Sequence, residues 1–186
     1  MSEALARPAR YEDLFDLPDN VVGEILGGVL HTHPRPAPKH ARAYSVLGYR
    51  LGGPFDGSID GPGGWWILDE PELHLGDDIL VPDLAGWRRE RMPTLPETAW
   101  FDLPPDWVCE ILSPSTARVD RIIKMPIYAR EGVAHLWLVD PDLKSLEAFE
   151  LNDNGYWTLI ATLKDDDPVS LPPFDAIEFP LDALWV

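Results

Sequence analysis

A chain of 186 residues, 45 % hydrophobic and 25 % charged, has the size and composition of one soluble globular domain with a sizeable core. No apolar run is long enough to span a bilayer, MSEALARPAR has no signal-peptide core, and the lone Cys109 excludes an internal disulfide and suits a reducing cytoplasm. The net charge of −17 disfavours nucleic-acid binding by a broad basic patch, but not an enzyme that meets phosphates through a bound cation.

Residues 1–10 read as a flexible leader and 11–186 as a single domain. Residues 11–17, stopped by Pro18, read as a short helix. Residues 21–26 and 29–32 are two strands split by Gly27-Gly28, a hairpin signal. Glu24 lies in the first, as an outward strand residue or as part of a site. His31 and His33 alternate on one face; lacking a third nearby ligand, they read as a solvated edge rather than a metal pair. After an extended loop, residues 39–51 read as a helix, with Ala43, Val46, Leu47 and Arg50 near helical spacing. Residues 52–64 are glycine-rich and lack the lysine of a phosphate loop, so they read as a surface loop.

Residues 65–68 begin a strand. After a turn at residues 76–78, residues 79–87 read as one returning antiparallel strand that carries Asp83. A basic, proline-bearing connector leads to the central strand, residues 107–112. There Val108, Glu110 and Leu112 share a face, and a carboxylate so placed is costly unless paired, hydrogen-bonded or bound to a metal. Cys109 reads as a small buried hydrophobe. A turn at Ser113 to Thr116 then feeds a helix that brings Asp120, Lys124 and Tyr128 to one face at i, i+4 and i+8. The bland alternatives are a solvent-facing Asp120–Lys124 pair and a core tyrosine. Pro126 either bends this helix near Lys124 or marks a fresh start at Met125. Residues 134–140, 145–151 and 156–163 form a meander, and the apolar tail, with Phe174, Phe179, Leu181 and Leu184, docks back on the body. The architecture expected is α+β: a curved, mostly antiparallel sheet with a helix packed on its central strands.

Two strand carboxylates and one helical lysine are the parts that metal-dependent phosphodiester hydrolysis needs: oxygen ligands for Mg²⁺ or Mn²⁺ and a group that orients water or offsets charge. Val81-Pro82-Asp83, the string Glu110-x-Leu112-Ser113-Pro114-Ser115-Thr116, and then Asp120, Lys124, Tyr128, Gly132-Val133 and Trp137 to Pro141 resemble the Uma-two family. Gly23 to Leu26 and Pro38 to Ala41 match its N-terminal pattern. That bacterial family is placed in the restriction-endonuclease-like PD-(D/E)xK superfamily. The resemblance implies that fold and an Mg²⁺-dependent endonuclease acting on nucleic acid, DNA first. It makes Asp83 and Glu110 the metal carboxylates, with the Ile111 carbonyl as a further ligand. Glu24 and Lys124 become catalytic, and His40, Asp120 and Tyr128 line the substrate side. The superfamily lysine would stand two residues after Glu110, where this chain has Leu112, so Lys124 from the helix takes that part. By analogy a homodimer is expected. Two other functions stay open: a non-catalytic interaction module of the same fold, and a metal-dependent hydrolase of a small phosphorylated substrate.

Overall fold

The computed structural model of the chain describes residues 7–34 and 36–185, so residues 1–6, most of the expected leader, lie outside the described residues. From Arg7 on, the leader is tied down. The Arg7 guanidinium grips Asp13, and the Ala9 N–H donates to the Gly28 carbonyl. The first helix is shorter than its pattern, a single 3-10 turn at Tyr11–Leu14.

Gly27 and Gly28, both at positive φ, make the tight turn between β1 (Val21–Leu26) and β2 (Val29–Pro34). This hairpin pairs with a second one, β4 (Leu73–Leu75) and β5 (Asp78–Leu80), in a four-stranded sheet of order β2-β1-β5-β4. The larger sheet contains β3 (Trp65–Asp69), β6 (Leu84–Arg88), β7 (Trp107–Ile111), β8 (His135–Asp140), β9 (Ser145–Leu151) and β10 (Trp157–Lys164). Its order is β10-β9-β8-β7-β6-β3. Neighbours are antiparallel except β7 and β8, whose parallel pairing requires the helical crossover between them. The expected meander is β8-β9-β10.

One strand of the sequence reading is in fact two. Residues 79–87 break at Val81-Pro82-Asp83, so Asp83 sits in a bend and not within a strand. Pro82 has no N–H to give to a ladder, and the chain leaves the small sheet after Leu80 to enter the large one at Leu84. The outward crossing, residues 70–72, lies beside this bend. Glu70, at φ 45°, donates its N–H to the Asp83 carbonyl at 3.0 Å. The fold is α+β as expected, with its strands divided between two main sheets and a short β11 (Pro168–Val169) and β12 (Phe179–Pro180) pair.

Side chains of β7 alternate between two apolar layers. Trp107, Cys109 and Ile111 share a cluster with Ala43, Leu47 and Leu51 of α1 (Pro38–Leu51). Val108 and Leu112 belong to the opposite cluster, with Leu136, Leu138, Ile127 and Tyr128. Alternation therefore sends Glu110 into the second layer. The tail closes the first. Phe174 packs on Phe55, Trp65, Trp107 and Trp137, with ring centroids at 4.7, 4.9, 4.9 and 5.8 Å.

Phe174 is 1 % exposed, so Phe174→Ala leaves a cavity among four aromatic rings. The expected loss is ~3–5 kcal/mol in denaturant unfolding. A loss below about 1 kcal/mol would mean that the tail is not part of the core.

Candidate active site

Residues 117–130 are helical but not uniform. α2 (Ala117–Val119) opens into a wide π turn at Asp120–Lys124, and α3 (Met125–Arg130) continues from it. Pro126 has no N–H for the Ile122 carbonyl, and a widened turn is one way for a helix to absorb that loss. Both outcomes open for Pro126 are thus realised: the helix changes at Lys124 and resumes α geometry at Met125. Asp120 and Lys124 are both buried in this turn, which removes the solvent-facing alternative.

Lys124 is 2 % exposed, and its ammonium has a full set of acceptors. It donates to Glu110 Oε1 at 2.8 Å, to Glu24 Oε1 at 2.9 Å and to the Val81 carbonyl at 3.4 Å. Asp120 Oδ1 lies 3.8 Å away. Glu24 arrives from β1 and also accepts the Val81 N–H at 2.7 Å. The break at Pro82 is what frees both polar groups of Val81 for this use. Glu24 is therefore a buried site residue and not an outward strand residue. Glu110 Oε1 accepts a second bond, from the Tyr128 hydroxyl at 2.6 Å. Tyr128, expected on the substrate side, is fully buried with its hydroxyl on Glu110.

Asp83 follows from the same register. The last paired residues of β6 and β7 are Leu84 and Cys109, which puts Asp83 beside Glu110 one step further on. Asp83 Oδ2 accepts the Ile111 N–H at 2.7 Å, and Oδ1 lies 3.3 Å from His40 Nε2 at the start of α1. The Ile111 carbonyl faces His40. Burial would lower the His40 pKa, but the hydrogen bond and charge of Asp83, with this carbonyl, raise it above the ordinary value.

Three carboxyl groups and one ammonium are buried together, so the acids outnumber the base. Burial pushes the Glu110 carboxyl well up, against the pull of Lys124, and pushes Asp120 up to about 6. For Lys124 burial acts downward, but Glu110 and Glu24 outweigh it and hold the ammonium well above its usual range. Among the described residues no three His, Cys, Asp or Glu side chains close into a ready cage. The donors present are nonetheless oxygens, the set a hard cation takes, and Mg²⁺ keeps its waters and needs only one or two protein carboxylates. A dication would relieve this crowding of acids. On that chemistry Asp83 and Glu110 fit the ion.

Most of these groups, though not Glu24 or Tyr128, border one cleft of about 270 Å³. Asp83, Glu110, Asp120, Lys124 and His40 line it, and Ser113 to Thr116 form its lip. Ser113 Oγ lies 3.0 Å from both Ser115 Oγ and Thr116 Oγ1, which sets that turn. Two further residues of the wall are His33 and Glu70. His33 sits on the edge strand β2, as its solvated-edge reading expects, and its partly exposed ring also stands 3.8 Å from Glu24 Oε2. The register sets His33 opposite Val22, another residue of the cleft wall, and His31 opposite Glu24. Leu112 is 4 % exposed in the second apolar layer, and Lys124 reaches Glu110 from the helix instead.

Fold and cleft together define an α+β protein with one acidic, lysine-floored cleft. A crystal structure from Anabaena variabilis, described as "a putative nuclease belonging to DUF820", matches with a TM-score of 0.75 at 21 % identity, over 95 % of this chain and 97 % of that one. At that identity the likeness is one of fold. The family described as Uma2, "Putative restriction endonuclease", matches residues 9–182, and the chain belongs to it. The resemblance read from Val81-Pro82-Asp83 and the Glu110 to Thr116 string is borne out. No curated protein matches the chain. Among the described residues no helix is long and apolar enough to cross a membrane.

Removing Lys124 leaves its carboxylates buried without a counter-charge. Lys124→Met is expected to cost ~3–5 kcal/mol in urea unfolding. Adding Glu110→Gln should recover part of that loss, because the second change removes a charge the first left stranded. Simple additivity of the two single effects would mean that the ammonium and Glu110 are not coupled.

Proposed function

We propose that this chain is a metal-dependent nuclease that hydrolyses phosphodiester bonds of nucleic acid, with DNA as the first substrate to test. The observation that carries the reading is one cleft in which Asp83 lies beside Glu110 and a buried, charged Lys124 holds Glu110 from below, with Glu24 behind it. Family membership supports a nuclease. In the reaction the oxygen of a water bonds to phosphorus, the bond to one sugar oxygen breaks, and that oxygen takes a proton. A divalent cation held by Asp83 and Glu110 would polarise the phosphate and favour deprotonation of water.

The chain's own residues have separate tasks. Tyr128 and Lys124 fix Glu110 through the same oxygen. The Ile111 N–H and His40 fix Asp83. Lys124 stays protonated, so it acts as a fixed positive charge beside the phosphate and not as a base. Its donors are held by Glu24, Glu110 and Val81, which keeps that charge in place. His40 and Asp120 lie on the cleft wall, where a substrate meets them. All of these residues come from one copy of the chain. A homodimer remains an expectation of the resemblance, and sedimentation at high micromolar protein tests it. The net charge of −17 favours one second reading, a hydrolase of small phosphorylated substrates.

Carboxylate and lysine variants should part company. Asp83→Ala and Glu110→Ala are expected to weaken Mn²⁺ binding by ~10-fold or more in calorimetry, since each removes an oxygen ligand. Lys124→Met should bind Mn²⁺ at least as well as the parent and lose ~10²-fold in cleavage rate. Parent-like Mn²⁺ binding by Glu110→Ala would remove the proposed metal site. If Mn²⁺ binds but only small phosphate esters are cleaved, the second reading replaces the first.

A further inference from the structure

Two cavities meet at this site. The cleft of about 270 Å³ keeps Glu110 and Lys124 at its floor, each only 2 % exposed. A second recess of about 340 Å³ opens beside it, and Ala37, His40, Ser113 and Pro114 border both. The recess has apolar walls of its own in Pro38, Leu112 and Pro141, and at its rim Lys39 pairs with Asp142 at 3.0 Å. The polar cavity suits a phosphate. The apolar one suits a flat ring, as extruded bases are held between apolar side chains in enzymes that act on them.

The geometry points to an unpaired strand as the substrate, with the scissile phosphate in the cleft and the adjacent base lodged in the recess beyond His40. This rests on the nuclease reading above. In a duplex that base is stacked and paired, and it must leave the stack to reach Pro114 and Pro141. Charge argues the same way. A duplex carries one negative charge per about 1.7 Å of axis and is held through several lysine or arginine contacts to phosphate. Among the described residues Lys124 is the only lysine or arginine on the cleft wall, and its hydrogen bonds are already committed. A net charge of −17 repels a rigid polyanion, whereas a flexible strand can bend one phosphate down to a buried floor.

The test uses the full chain with Mn²⁺ and four labelled oligonucleotides of one sequence. They are a single strand, its blunt duplex, the duplex with a short unpaired bulge, and the single strand with one abasic position. Each is made as DNA and as RNA. The strand and the bulge, in at least one sugar type, should be cut ~10-fold or more faster than the blunt duplex. The phosphates flanking the abasic position should lose ~10-fold or more in kcat/KM, the scale of one lost base contact, while phosphates elsewhere in that strand keep their rate. A blunt duplex cut as fast as the strand would overturn the inference and leave the nuclease standing. So would an abasic strand cut evenly along its length, which would empty the recess. If none of the four is cut while Mn²⁺ binds, the nuclease reading fails and this inference fails with it.

Discussion

The ammonium of Lys124 is the group on which the site depends. It is buried among Glu24, Glu110 and Asp120, and each of these would be costly to bury without it. The three carboxylates come from a strand of one sheet, a strand of the other and the helix itself. One positive charge therefore ties together the parts of the chain that form the cleft. With three carboxyl groups around one ammonium, burial pushes the Glu110 and Asp120 carboxyls up, a strain that a cation at the opening would relieve. Strain of that kind is a structural cost that a folded protein keeps when a cation or a reaction uses it.

The backbone break at Val81-Pro82-Asp83 makes this arrangement possible. A regular strand would have spent the Val81 N–H and carbonyl on a ladder, but here they hold Glu24 and Lys124. The same bend moves the chain from the small sheet to the large one, so Asp83 arrives beside Glu110 with one oxygen bound to the next peptide of β7. The π turn at Asp120–Lys124 is the matching irregularity on the helical side. One departure occurs at Pro82 and the other just before Pro126, and both point polar groups into the same cleft.

Much of this was legible in the sequence. Glu110 stood out because a lone carboxylate on one face with Val108 and Leu112 is hard to explain blandly. Pro126 announced a disturbed helix, and the Gly27-Gly28 turn announced the first hairpin. Other features were not legible. Residues 79–87 have the apolar pattern of one strand, and only tertiary pairing shows that the two halves serve different sheets. His33 is an edge residue as it looked, but its nearness to Glu24 was hidden, because Glu24 is drawn inward by Val81 and Lys124, far away in sequence. Tyr128 shares a helical face with Lys124, but spacing alone could not show that it is sealed against Glu110.

The central claim is that the crowding of acids around Lys124 is a place for a divalent cation at Asp83 and Glu110. A crystal grown with Mn²⁺ and measured at a wavelength where manganese scatters anomalously tests it without knowledge of the substrate. The account predicts an anomalous peak in the cleft, in contact with carboxylate oxygens of both Asp83 and Glu110, with Lys124 still on Glu24 and Glu110. Ordered manganese only on surface aspartates, with none in the cleft at saturating Mn²⁺, would contradict it.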